Sequence, residues 1–347
     1  MRSGNRVRVL EALLFMFGFC LTGCGSTPSV YWTELAGGTV NKVVGNAAEV
    51  NLAANQPAPA GIDADAYNIY WASPGDGTIK RVPIAGGSVT TLASGQAEPI
   101  GLAVDSTAGV VYWTNTGDGT IRSVSTNGGA VSLVAQGQMD PLNLGLDANN
   151  LYWTDPGRGT VMKCPKQANC NPVTLSSGTS PTDPALPWGI AVDASNVYWT
   201  DSYGRTVYQL PVGGGIPLVL ASFTSALNIF NPAGIAIDST NVYWVDSGGD
   251  GSLNKVPIGG GTMTRMVTGQ YTPLSIAVSD ANIYWGDYGP PGQINKIAKN
   301  CTAPCAPTTI NTSGNEPAAI VVQNVVSGGI SGCEILFARM RFWPGAR

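Results

Sequence analysis

The chain has 347 residues, among them 45 glycines, 24 prolines and no histidine, with only 12% charged residues and a formal net charge of −4. This turn-rich, weakly charged composition suits a large all-β domain, and without a basic excess there is no surface to hold a nucleic-acid backbone. The absence of histidine excludes a Ser-His-Asp triad, a histidine general base and a histidine metal ligand.

In chain order, residues 1–23 come first and read as an export signal. Arg2, Arg6 and Arg8 make a basic start, an apolar run follows from Leu13 to Leu21, and small residues precede Cys24. The run is too short to span a membrane as a helix. Leu21-Thr-Gly-Cys24 resembles the lipobox of bacterial lipoproteins. That resemblance implies that Cys24 becomes the first mature residue, carries lipid and tethers the protein through residues 24–29. Gly25, where an inner-membrane lipoprotein would have Asp, implies the outer membrane. The expected location is therefore the bacterial cell envelope, with the protein exported and lipid-anchored.

Residues 30–323 repeat one unit, clearest from Gly189 to Pro211 (GIAVDASNVYWTDSYGRTVYQLP). Ile190 and Val192 share one face of an extended segment, and Asp193-Ala-Ser-Asn196 turns the chain. In the next strand Trp199 and Tyr198 point to opposite faces, so both faces must be covered. TVYQLP forms a third strand, Gly213 to Gly215 turn the chain again, and IPLVLA forms a fourth. One unit is thus a four-stranded antiparallel meander.

Tyr-Trp recurs at Tyr31, Tyr70, Tyr112, Tyr152, Tyr198, Tyr243 and Tyr284, at spacings of 39, 42, 40, 46, 45 and 41 residues. Those periods fit one β-propeller blade each. The first copy lacks the innermost strand, and Glu316 to Gln323 supplies such a strand with no Tyr-Trp after it. Pairing the two ends completes a seventh blade and removes the open sheet edge. The expected fold is an all-β propeller of seven blades, with six the alternative, and residues 324–347 form a tail foreign to the repeat.

Cys164 with Cys170 and Cys301 with Cys305 replace the turn between the third and fourth strands, where a hairpin brings side chains within bridging distance. Two local disulfides are expected, each contributing about 2 kcal/mol and stapling its own hairpin without holding the ring. A shared zinc is the weaker reading, since the pairs fall in the fourth and seventh copies, which do not adjoin. Lys42, Arg81, Lys163, Lys255 and Lys296 occupy one position of the third strand and read as a solvated stripe with stems over the aromatics.

The residue before the proline that opens each innermost strand varies among copies and surrounds one mouth of the central channel. Glu98, Asp140 and Glu316 make part of this rim acidic, with Trp188 and Asn231 opposite, and Asp63 adds a carboxylate within an innermost strand. These are the candidate ligand residues. Their ordinary role would be hydrogen bonding to neighbouring turn amides.

Tyr152 to Asp155 and Tyr198 to Asp201, both YWTD, resemble the YWTD repeats of the low-density lipoprotein receptor family, and the layout from Tyr31 to Gln323 is similar throughout. Exported bacterial proteins with YWTD-like or NHL-like propellers are similar in kind. These resemblances imply a non-catalytic binding or scaffold propeller with a protein, glycan or small-molecule ligand, no cofactor and a monomeric state. The alternative is a metal-dependent hydrolase resembling the gluconolactonase group. In it Glu98, Asp140, Asn231 and Glu316, oxygen ligands suited to a hard cation, would hold calcium.

Overall fold

A computed structural model describes residues 27–177, 185–223, 231–249, 251–289, 291–312 and 316–325. Residues 1–23, Cys24 and nearly all of the tail lie outside them. The body of the protein is one compact unit, Ser29–Gln323.

Every regular element among the described residues is a strand, and the strands form seven four-stranded antiparallel sheets. Blades 2 to 7 follow chain order, from innermost strand to outermost. Blade 5, for example, is Pro187–Val192, Asn196–Asp201, Thr206–Pro211 and Leu218–Ser222. Blade 1 takes its innermost strand, Pro317–Val325, from the far end of the chain and pairs it with Thr27–Glu34. The ring therefore has seven blades and closes through both ends of the repeat region. The closing strand runs two residues into the segment expected to be tail.

The four letters of the repeat motif have four separate jobs. Neighbouring residues of a strand point to opposite faces, so Tyr faces the next blade and Trp the preceding one. Each of the seven inter-blade cores accordingly contains the Tyr of one blade and the Trp of the next, ending with Tyr284 against Trp32 across the closure. Burying each large ring contributes about 2 to 3 kcal/mol. The Tyr hydroxyl donates to the Asp of the preceding turn: Tyr70 to Asp65 and Tyr152 to Asp147 at 2.5 Å, Tyr198 to Asp193 and Tyr243 to Asp238 at 2.9 Å. The other carboxylate oxygen of each Asp accepts two turn amides, as Asp193 does from Ser195 and Asn196. Burial first, and then Asp65, push the Tyr70 hydroxyl up to about 12.

The third letter clasps blades. Thr33, Thr114, Thr154 and Thr200 donate to the carbonyls of Ala60, Leu142, Trp188 and Ala233, within or just before the innermost strand of the next blade, at 2.6 to 2.9 Å. The fourth letter holds the channel mouth and is taken up below.

Two expectations need correction. The third-strand cations do lie over the aromatics, Lys42 over Tyr31 and Lys163 over Tyr152, but their heads are not simply solvated. Lys42, Arg81 and Lys163 donate to the carbonyls of Ile84, Thr126 and Val212 on the next blade, and Lys296 reaches Asn46 Oδ1 at 2.7 Å across the closure. A long cationic stem spans the gap between blades, so the stripe becomes a row of latches. The disulfides Cys164–Cys170 and Cys301–Cys305 form as expected. Their hairpins also reach beyond their own blades: the Asn169 and Cys170 amides donate to Leu133 and Val134, and the Cys305 amide to Met266, on the preceding outermost strand.

Candidate functional site

The innermost strands of all seven blades surround a channel cavity of roughly 280 Å³, lined by residues such as Ala60, Ile100, Asn143, Trp188, Ile235, Ser275 and Ala319. None of its described lining residues is titratable. The bore is narrow because innermost strands touch where a glycine follows the opening Pro-Xaa. A Cβ on Gly61 would overlap the Ile100 carbonyl, and one on Gly234 would meet the Leu274 carbonyl at 2.5 Å. Blades 4, 7 and 1 have Asn143, Ser275 and Ala319 at that position. Asn143 spans the wider gap with its side chain, donating to the Trp188 carbonyl at 2.9 Å, and the buried Ser275 hydroxyl has no partner among the described residues. Sequence reasoning missed both polar groups, although aligning the innermost strands on their prolines would have exposed them as departures from glycine.

The rim residues adopt two backbone states. Asp155, Asp201 and Asp246, the fourth letters of blades 4, 5 and 6, accept the amide hydrogens of Asp140, Leu186 and Asn231 at 2.9, 2.9 and 2.7 Å. In blades 1, 2 and 3 the fourth letter is Glu34, Ser73 or Asn115, and the rim residues Glu316, Ala58 and Glu98 are left-handed, with φ of 54°, 50° and 53°. Thr272 of blade 7 joins them at 56°. A non-glycine residue there is strained, most of all before proline. In blades 4, 5 and 6 the aspartate holds the rim amide; Ser73 is too short to do so, Glu34 instead accepts from Trp32 and Thr39, and Asp287 of blade 7 accepts the Tyr271 amide and leaves Thr272 left-handed.

The candidate carboxylates fare differently from the expected amide-bonding role. Glu98 is exposed and Asp140 half-buried, and among the described residues neither accepts a hydrogen bond from a turn amide; at Asp140 it is Asp155 that takes the turn amides. Burial, then the charges of Asp155 and Glu98, raise the Asp140 carboxyl, so the structure brings Glu98 and Asp140 within electrostatic reach of each other. Glu316 accepts from the Tyr288 hydroxyl. Asn231 donates to Ser247 Oγ at 2.9 Å, and Trp188, 37% exposed, is among the residues lining the cavity.

Asp63 is not on the rim. Its carboxylate accepts the amides of Ala64 and of Val104 in the next blade, both at 2.8 Å, and burial pushes it up to about 6. Among the described residues no three Asp, Glu or Cys side chains stand close enough to share a metal ion. The donor set implied by the gluconolactonase resemblance does not fit, because equivalent positions on separate blades stay apart.

No protein-family model and no curated protein matches the sequence. Solved structures do resemble the fold. Nidogen in its complex with laminin is 16% identical, with a TM-score of 0.55, over 86% of this chain and 99% of that one. Virginiamycin B lyase from Staphylococcus aureus is 14% identical, with a TM-score of 0.63, over 75% of this chain and 87% of that one. A putative 6-phosphogluconolactonase from Bacteroides uniformis is 12% identical, with a TM-score of 0.67, over 86% of this chain and all of that one. The shared feature is the propeller. Its neighbours include both binding proteins and enzymes.

Proposed function

We propose that the protein is a non-catalytic binding module, exported and held at the bacterial cell envelope by lipid on Cys24, with its ligand surface at the channel mouth. The observation that carries this reading is the absence of any titratable side chain among the described residues lining the channel. Hydrolysis needs a general base, a nucleophile or a metal at the reacting bond. This bore offers instead an apolar wall, Trp188 and the Asn143 amide, which suit recognition. The strained backbone of Glu98, Thr272 and Glu316 around the same mouth agrees with a surface kept for contact. The two disulfides support export, since such bonds persist outside the reducing cytosol.

The test sets this reading against the metal-dependent hydrolase. Calcium is titrated into the purified chain and into a Glu98→Gln, Asp140→Asn, Glu316→Gln variant, while melting temperature and heat of binding are followed. Calcium is expected to leave both melting temperatures unchanged, and the variant is expected to melt no lower than the parent, because neutralisation relieves repulsion and breaks no amide hydrogen bond. A calcium-dependent rise of several degrees that disappears in the variant would replace the binding module with the hydrolase.

A further inference from the structure

Four junctions of the ring show what normally closes the wedge between one blade and the next. Gln56, Gln96, Gln138 and Gln270 follow the outermost strands of blades 1, 2, 3 and 6, and their amides bond the carbonyls of Gly38, Gly77, Gly119 and Gly251 in the same blade. From there Gln96, Gln138 and Gln270 accept the indole hydrogen of the following blade's Trp113, Trp153 and Trp285 at 3.0 to 3.2 Å. The junction of blades 5 and 6 uses a different filler at the same place. The Phe223 amide bonds the Arg205 carbonyl, and its ring meets Trp244 edge-on at 6.3 Å.

Between blades 4 and 5 no such filler is found among the described residues. Gly159 packs on the carbonyl of Ala185 as the other hairpin glycines pack on their glutamines, so a methyl group stands where the other junctions have an amide or a ring. A cleft of roughly 560 Å³ opens there, larger than the channel cavity. The same junction carries a second departure. Trp199 stacks on Tyr208, with centroids 5.0 Å apart and planes 20° from parallel, whereas Trp32, Trp244 and Trp285 have Asn41, Asn254 and Asn295 at that cross-strand position.

We infer that this cleft is a second binding site, separate from the channel mouth, and that it takes a saccharide. Its lining combines the aromatic pair with Ser176, Ser177 and Thr206 and the Asp201 carboxylate. A sugar ring matches that mixture, with a face of C–H groups to lie on an aromatic wall and a rim of hydroxyls to bond serine, threonine and carboxylate oxygens. No cationic side chain is among the described lining residues, and Asp201 is there, which disfavours a phosphate or other anion. The Ser176 and Ser177 hydroxyls disfavour an acyl chain, whose burial would take them from water.

The experiment titrates the full chain with glucose, galactose, mannose, N-acetylglucosamine and their β-linked disaccharides, reading tryptophan fluorescence and heat of binding. At least one sugar is expected to give a saturable signal. Ala185→Gln, which installs the residue of the closed junctions, is expected to weaken it at least about tenfold while melting no lower than the parent. Tyr208→Leu keeps apolar volume, removes the stack and is expected to weaken it similarly, which guards against one variant misfolding. No saturable signal at tens of millimolar with any of the sugars would overturn the inference, as would a signal undiminished in both variants.

Discussion

Asp155 accepts the backbone amide hydrogen of Asp140 at 2.9 Å while its charge, with burial, raises the carboxyl of that same residue. It also accepts the Met139 amide at 3.0 Å. One acid fixes the main chain of another and repels its side chain, so substitutions at the two positions should move stability in opposite directions. Asp155→Ala leaves two partly buried amides without their charged acceptor and is expected to cost about 2 to 3 kcal/mol. Asp140→Asn should match the parent or exceed it. Equal urea midpoints for parent and Asp155→Ala would contradict the role given to the fourth letter.

The threonine clasps should be separable. Thr114→Val and Thr200→Val keep the shape of the side chain, delete the bonds to Leu142 and Ala233 and leave the Gly101 and Gly189 amides without their hydroxyl acceptor, each variant at about 2 kcal/mol. They join different pairs of blades, so the double variant should show nearly the sum. A double variant no worse than either single would mean that the clasps are redundant.

Closure through both ends predicts an asymmetry between two truncations. A chain ending at Gln323 keeps the body of the strand that pairs with Thr27–Glu34 and should melt close to the full chain. One ending at residue 315 exposes Tyr31 and Trp32 and an unpaired edge, and should aggregate or melt far lower. Superimposable melting curves would refute closure by this strand.

Stability should fall as pH rises from about 5 to 8. Burial pushes Asp63 up to about 6 and Asp287 up to about 7, above the ordinary carboxylate value of about 3.9 in an unfolded chain. Between these values the folded protein binds more protons than the unfolded one, so their contribution is complete below about pH 4 and is lost through pH 6 to 7. Asp238 works in the other direction. Burial opposes it, but Lys299 and the turn amides hold it low, so its contribution is lost only in acid. The melting temperature should peak near pH 4, and Asp63→Asn should flatten the decline toward neutrality. A curve rising steadily from pH 5 to 8 would contradict the assignment.

Lipid attachment is checked by expression in a bacterium with labelled fatty acid. The protein should take up label and sediment with membranes, and Cys24→Ala should abolish both. Equal labelling of the variant would remove the anchor from the proposal.

The period of the Tyr-Trp pairs determined the blades by itself, because a strand with large side chains on both faces, repeated every 39 to 46 residues, must be covered from both sides by copies of itself. The missing first strand and the surplus last one likewise determined the closure. Tertiary structure decided what the individual letters do. Whether Thr114 donates to Leu142, or Lys163 reaches Val212, depends on how close one blade lies to the next, a distance that no single repeat encodes. The same holds for the rim: Glu98, Asp140 and Glu316 were legible as a variable acidic set, but only the folded ring shows that Asp155 takes the turn amides at Asp140 while Glu98 and Glu316 sit on left-handed backbone. The cleft between blades 4 and 5 was the least legible feature. Ala185 is unremarkable as an alanine and becomes informative only when the fold sets it at the place where other junctions carry Gln138 or Phe223, each filling a wedge that a methyl group leaves open.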